Sequence, residues 1–165
     1  MGSEMCIRDS LNIYSSLIFP YLSYGLAAWV QAAKTHLLKL LVLQKLVLRL
    51  MYFFEPRAHA VSLFITTNIL PINMLYVETV SSLMYGLSRL SVPSNISDLL
   101  TKVNKIHTHK TRSSSSGNFY IKSSSLSLHQ KSFARFGAKL WNSFQNKFRQ
   151  LSKNAFKSMY MICCF

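Results

Sequence analysis

Carboxylates are the side chains that would decide whether this chain catalyses a reaction, and there are only five. They are Glu4, Asp9, Glu55, Glu78 and Asp98. Two-metal nucleotidyl transfer needs several carboxylates around the ions, and general acid–base catalysis needs a pair with different roles. The last three acids lie on separate predicted elements. We therefore expect no catalytic residue, and the chain is predicted not to be an enzyme.

Histidine and serine offer two other kinds of site, and neither has the spacing that such a site requires. His107 and His109 would share one face of a strand, but His129 is the only nearby third ligand. Local hydrogen bonding or phosphate contact explains these histidines better than a metal ion. No G-x-S-x-G, G-x-G-x-x-G or phosphate-loop motif occurs. We expect no metal, no cofactor and no small-molecule substrate.

Positive charge is the dominant chemical feature of the sequence. The formal net charge is +14 over 165 residues, and no acidic residue follows Asp98. Twelve Lys or Arg residues lie between Lys102 and Lys157. This pattern indicates an anionic partner, and we expect nucleic acid (RNA or an RNA/DNA duplex) ahead of an anionic membrane. A basic face that is merely solvated is the alternative.

The predicted nucleic-acid-binding residues all belong to this acid-free stretch. They are Lys110, Arg112, Lys122, Arg135, Lys139, Arg149, Lys153 and Lys157. Aromatic residues are interleaved with them: Phe119, Tyr120, Phe133, Phe136, Trp141, Phe144 and Phe148. Aromatic planes beside cations suit single-stranded nucleic acid, although a small hydrophobic core would have the same composition.

The elements that must hold these residues are predicted to be mainly α-helical, forming a bundle-like fragment. Residues 1–10, MGSEMCIRDS, lack helical or strand periodicity and look like translated sequencing adapter, so we expect them to be non-native. No charged residue lies between Ser10 and Ala33, which is long enough to span a bilayer. Pro20 favours a buried helix pair, broken at that residue, over a membrane span.

Three more helices are predicted before residue 100. They cover about residues 36–54, 61–64 and 71–90, and a Val-Pro-Ser-Asn turn follows at 92–95. Residues 101–130 change to a basic, serine-rich composition, which predicts a linker with a strand at 119–121. A small β-hairpin is expected between residues 119 and 136.

Residues 131–165 are predicted to be a basic helical segment that ends in an amphipathic helix. Its apolar stripe consists of Phe144, Phe148, Leu151, Ala155 and Met159, spaced by four, three, four and four residues. Arg149, Lys153 and Lys157 fall on the opposite face. Such a helix could dock with its charges in water, contact phosphate through the charged face, or lie at a membrane surface.

Four stretches in order carry a family resemblance. They are Leu11–Gly25 with Trp29; Leu40–Lys45 with Arg49; Arg57-Ala58-His59 with Leu63-Phe64 and Ile69-Leu70-Pro71; and His107–Arg112 followed by Gly137–Ser143. Together they resemble the region downstream of the palm, thumb included, in reverse transcriptases of non-LTR retrotransposons, the jockey-like LINE elements. The resemblance covers about residues 11–160.

The resemblance implies that residues 11–100 form a thumb-like helical region, which in such enzymes holds the template–primer duplex. The metal-binding aspartates of the palm would lie upstream, so RNA-directed DNA polymerase activity is not expected here. A non-catalytic, nuclear or cytoplasmic fragment that binds nucleic acid is expected instead. The alternatives are a small membrane-associated protein using residues 11–30 and 61–77, and a translated transposon relic without function.

Overall fold

The computed structural model describes residues 2–29, 34–55, 57–89, 91–106, 109 and 111–156. Helices dominate this part of the chain, which confirms the predicted mainly helical class. The α-helices are α1 (Gly2–Ile13), α2 (Phe19–Ser23), α3 (Leu26–Trp29), α4 (Lys34–Met51), α5 (Val61–Thr67), α6 (Ile72–Ser88), α7 (Ser94–Ser97), α8 (Arg112–Ser115), α9 (Ser127–Gln130), α10 (Phe133–Ser143) and α11 (Asn146–Arg149). A π-helical stretch covers Tyr14–Ile18, and a 3-10 turn covers Val103–Lys105.

The chain forms two compact units. The first ends at Tyr76 and the second begins at Val77, so the division falls within α6. The helices predicted near residues 36–54, 61–64 and 71–90 are present as α4, α5 and α6. The boundaries predicted near residues 100 and 130 both lie inside the second unit.

The uncharged N-terminal segment is helical over residues 10–23 and 26–29, but it does not break at Pro20 as predicted. α1 continues through the π-helical stretch into α2, and the Phe19 N–H donates to the Tyr14 carbonyl five residues earlier. The extra residue in this turn accommodates Pro20, which lacks an N–H and would otherwise clash with the preceding turn. The chain turns instead at Tyr24 and Gly25, where Gly25 adopts a φ of 61°.

This N-terminal segment is also less buried than the sequence suggested. Tyr14 and Leu26 are buried, whereas Leu17, Tyr21 and Tyr24 are exposed, so the prediction of a buried helix pair is wrong. Residues 2–10, which the sequence analysis set aside, belong to α1. Their non-native origin stays a prediction.

The core of the first unit lies between α4, the N-terminal helices and α5. Tyr14, Leu48, Met51, Leu63 and Phe64 are its main buried side chains. α4 supplies Leu48 and Met51 at helical spacing, and burying such apolar surface is the main force that holds the helices together.

One buried polar side chain crosses this core. Gln44 of α4 donates through Nε2 to the Tyr14 hydroxyl (2.9 Å) and to the Leu70 carbonyl (2.9 Å). Its Oε1 accepts the Ile72 N–H (3.0 Å), which belongs to the first turn of α6. Burial raises the pKa of the Tyr14 phenol, while the hydrogen bond with Gln44 acts in the opposite direction. Gln44 therefore ties α4 to the N-terminal helix and to the start of α6.

Aromatic rings form the core of the second unit. Trp141 of α10 is 2% exposed, and its ring centroid lies 6.3 Å from that of Phe119 and 6.4 Å from those of Phe144 and Phe156. α10 approaches α6 closely at Gly137, where an added Cβ would lie 2.8 Å from the Met84 sulfur. A side chain at position 137 would therefore push α10 away from α6.

The segment predicted as a linker packs against this aromatic core. Val103 and Phe119 are buried, and Lys102 and Phe119 form an isolated antiparallel bridge. The Asn142 side chain donates to the Phe119 carbonyl (2.9 Å) and accepts the Phe119 N–H (3.0 Å). Phe119 bridges Lys102, and residues 127–130 and 133–136 are helical, so the hairpin predicted between residues 119 and 136 is absent from the described residues.

The predicted C-terminal amphipathic helix is interrupted rather than continuous. α10 ends at Ser143, and Phe144 and Gln145 are extended, with ψ of 138° and 147°. The short α11 and a helical turn over residues 153–156 follow. Phe144 packs edge-on against Phe156 at 5.5 Å, and this tertiary contact requires the chain to fold back, which overrides the helical periodicity. Met159 and Lys157 lie outside the described residues.

Within the described ranges, no single helix has both the length and the apolar composition to cross a bilayer. α5 and α6 meet these criteria only as a pair, with a bend of 45° between them. Ile72, Leu75, Val80 and Met84 of α6 are buried within the protein, a pattern that a core helix also shows.

Candidate nucleic-acid interface

The exposed cations of the second unit are the first component of the candidate interface. Arg112 begins α8, Lys122 follows Tyr120 in an extended segment, Lys139 lies on α10, and Lys153 lies in the last helical turn. All four side chains are exposed. Exposed cationic side chains of this kind suit contact with phosphate. Lys110 and Lys157 lie outside the described residues.

Arg149 occupies a different environment, because its guanidinium joins the loop at residues 116–118 to the last turn of α10. Nη1 donates to the Ser116 carbonyl (2.7 Å) and to Asn118 Oδ1 (2.8 Å), and Nη2 donates to the Asn142 carbonyl (3.2 Å). The guanidinium carbon also lies 5.6 Å from the Trp141 ring centroid. Desolvation lowers the pKa of Arg149, yet an arginine in this setting remains charged at neutral pH.

These acceptors are neutral, so they hold the Arg149 charge without cancelling it. The guanidinium therefore still adds to the positive field of the unit. Its planar donors are used for intramolecular hydrogen bonds, which indicates a structural role. Direct contact between Arg149 and nucleic acid stays a prediction.

Arg135 is half-buried in the first turn of α10 and is also anchored to the main chain. Its Nη1 donates to the Lys122 carbonyl (3.0 Å), and its Nε is buried without a hydrogen-bond partner. This hydrogen bond connects two of the predicted nucleic-acid-binding residues, which are 13 residues apart in sequence. It also fixes the direction of the extended segment that carries Tyr120.

A cleft of about 280 Å³, here called the Arg135 cleft, opens beside this bond. Its apolar lining consists of Leu99, Leu100, Ile106, Tyr120, Ile121 and Ala134. Thr101, Lys122, His129 and Arg135 supply the polar lining, and no carboxylate is present among these described residues. The cleft thus combines an apolar floor with several cationic or neutral hydrogen-bond donors.

A second and more open cleft, here called the Asn142 cleft, shares two residues with the first. Tyr120 and Ile121 line both, and Thr111, Ser113 and Asn142 belong to the second. The extended segment therefore forms a ridge between the two clefts. Tyr120 is 42% exposed on this ridge.

The backbone of this ridge is fixed from both sides. The Tyr120 N–H donates to the Thr101 carbonyl (2.8 Å), and the Val103 N–H donates to the Asn118 carbonyl (3.0 Å). The paired hydrogen bonds between Asn142 and Phe119 hold the preceding residue. Tyr120 is consequently presented on a constrained main chain, which reduces the entropy lost when a ligand binds.

Sequence reasoning identified Tyr120 as one of several interleaved aromatic residues but did not select it as a binding residue. Thr101 and Asn142 were not identified, since their roles depend on contacts with Tyr120 and Phe119. His129 was considered as a metal ligand and instead lines the Arg135 cleft. The described ranges contain no group of three His, Cys, Asp or Glu side chains able to hold a metal ion, and His107 lies outside them.

Comparison with known proteins found no matching family model, no matching curated protein and no matching solved structure.

Proposed function

We propose that this chain is a non-catalytic piece of a non-LTR retrotransposon reverse transcriptase that binds nucleic acid through sequence-independent phosphate contacts. The resemblance of residues 11–160 supports the family assignment. The observation that carries the binding function is the acid-free stretch after Asp98, on which Arg112, Lys122, Lys139 and Lys153 are exposed. Such a surface releases counterions when it neutralises phosphates, and this release drives association.

The proposal predicts binding that weakens steeply with salt. If these four predicted binding residues each neutralise one phosphate, affinity for an RNA/DNA duplex should fall roughly a hundredfold between 50 and 200 mM salt. Fluorescence anisotropy with a labelled duplex of 20 base pairs measures this directly. Equal affinity at both salt concentrations, or no binding at either, would contradict the proposal.

Paired substitutions separate a local interface from the effect of net charge. Lys139→Gln with Lys153→Gln should weaken binding and reduce the slope of log affinity against log salt by about two. The matched control is Lys39→Gln with Arg57→Gln, which removes two exposed positive charges from the first unit. Equal losses in both variants would show that binding follows net charge alone and would argue against an interface in the second unit.

Association with a membrane is the second candidate, and the surface of the first unit favours it. Leu38, Val42, Leu46 and Leu50 of α4 are all at least 40% exposed. α5 and α6 together are also long and apolar enough to form a bent membrane span. Resistance of the expressed chain to alkaline carbonate extraction would support this candidate, whereas full recovery in the supernatant would exclude it.

A further inference from the structure

We infer that the Arg135 cleft binds one unpaired nucleotide, with the base against Tyr120 and the adjoining phosphate at Lys122 and Arg135. This inference rests on the proposed nucleic-acid binding and narrows its ligand to a single-stranded segment. The carrying observation is an exposed aromatic ring and two cations at one apolar cleft of about 280 Å³.

The lining of the cleft matches the two chemical halves of a nucleotide. Leu100 is 9% exposed and, with Ile121 and Ala134, provides an apolar surface of the kind that accepts a flat base. Tyr120 adds an exposed ring on which any base can stack, because every base has a π-face. The volume is slightly below the range of roughly 300–1,000 Å³ that holds drug-sized ligands, so a single base is a suitable occupant.

No carboxylate faces Lys122 and Arg135 in the described lining of the Arg135 cleft. Among the described residues, the Arg135 side chain donates to the neutral Lys122 carbonyl, and its buried Nε has no hydrogen-bond partner there. No carboxylate lines the described part of the cleft, so the positive charges of Arg135 and Lys122 are not neutralised locally. A phosphate would supply the missing charge and would accept charge-assisted hydrogen bonds from both side chains.

The same geometry favours a single strand over a duplex. A base enters an apolar cleft only when its face and edge are free, which a paired and stacked base does not offer. Tyr120 also separates the Arg135 cleft from the Asn142 cleft, so successive nucleotides of one strand could pass over the ridge. A duplex would contact only the exposed cations around it.

The inference is tested with the full chain and two labelled DNA 10-mers, one of thymidines and one of the same length with abasic sites. Both carry the same phosphate charge and differ only in the bases. Anisotropy at 50 mM salt should give an affinity about tenfold higher for the thymidine strand, which is the contribution expected of one stacked base. Equal affinity for the two strands would overturn the inference.

Two kinds of variant connect this difference to the cleft. Tyr120→Ala should abolish the tenfold preference for bases, whereas Tyr120→Phe should retain it because the ring remains. Ala134→Leu should also abolish it by filling the cleft, and this variant decides the outcome if Tyr120→Ala fails to fold. Tyr21→Ala, at an exposed tyrosine of the first unit, is the matched control and should keep the preference. Retention of the preference in a folded Tyr120→Ala or Ala134→Leu variant would contradict the inference.

These outcomes also distinguish this inference from the proposed function. Salt-dependent binding of both strands with equal affinity would leave phosphate binding intact and would remove only the nucleotide cleft. No binding of either strand or of the duplex would contradict both. A preference for the base-bearing strand that Lys122→Gln weakens, while Lys39→Gln does not, would support both.

Discussion

Each of the two units of this protein has its own buried core, but the two units expose different kinds of side chain. In the first unit, an uncharged glutamine crosses a core of mixed aliphatic and aromatic side chains, and large apolar side chains such as Leu38, Leu50 and Tyr21 remain exposed. In the second unit, the charged Arg149 joins residues 116–118 to the end of α10 beside an aromatic core. Several cations are exposed on the surface of this unit. The two units therefore differ in the chemistry of their exposed side chains: several are large and apolar in the first, and several are cationic in the second.

The largest expected effect is the loss of the aromatic core in the second unit. Trp141→Ala should lower the free energy of unfolding by about 3–5 kcal/mol, because three ring contacts are removed and a cavity remains. The indole Nε1 has no hydrogen-bond partner, so the loss comes from packing. Urea denaturation followed by circular dichroism measures it. Tyr21→Ala should change stability by less than about 0.5 kcal/mol, and similar losses in both variants would refute the assignment of Trp141 to a core.

Replacing Gln44 in the first unit should have the second-largest effect on the free energy of unfolding. Gln44→Ala leaves the Leu70 carbonyl and the Ile72 N–H without their buried partner and should cost about 2–4 kcal/mol. The same denaturation experiment applies. Gln145→Ala is the matched control at an exposed glutamine, where a loss of less than about 0.5 kcal/mol is expected. A Gln44→Ala variant as stable as this control would show that the hydrogen bonds do not hold the unit together.

Arg149 should show a smaller effect on stability and little effect on binding. Arg149→Lys keeps the charge but loses the planar donors that reach Ser116, Asn118 and Asn142, so we expect a loss of about 1–2 kcal/mol. The salt slope of duplex binding should remain unchanged, because the number of cations is the same. A variant of unchanged stability that binds the duplex more weakly would instead assign Arg149 to direct phosphate contact.

The smallest effect on stability is expected at the exposed apolar row of α4. Val42→Gln with Leu46→Gln should change the free energy of unfolding by less than about 0.5 kcal/mol per site, since both side chains already contact water. Aggregation or vesicle binding should fall clearly, because the row of Leu38, Val42, Leu46 and Leu50 is interrupted. Analytical ultracentrifugation and vesicle flotation measure the two behaviours. Unchanged values in both would show that this row is not an interaction surface.

Local patterns were sufficient to predict α4, α5 and α6 and the basic composition of the second unit. α4, α5 and α6 follow apolar spacing that neighbouring residues establish within a few turns. The exposed cations Arg112, Lys122, Lys139 and Lys153 could be named because charged side chains rarely become buried without a partner. The family and the binding function that were inferred from the same sequence stay proposals.

Local periodicity did not predict the backbone conformation correctly where a long-range contact determines it. The stripe from Phe144 to Met159 predicted one helix, but the contact of Phe144 with Phe156 turns the chain. Arg149 was placed on the face opposite the apolar stripe, although its side chain bonds acceptors as far as 33 residues away in sequence. Pro20 was expected to break a helix, and a π-helical turn accommodates it.

The sequence by itself determined the helical class and the charge of this protein, because periodicity and composition act over a few residues. The tertiary structure alone decided which side chains meet: the cleft arises because Asn142, Thr101 and Arg135 fix the segment around Tyr120. Those hydrogen bonds join residues that are 13 to 23 positions apart in sequence. A pattern that extends over only a few neighbouring residues does not predict contacts at such separations.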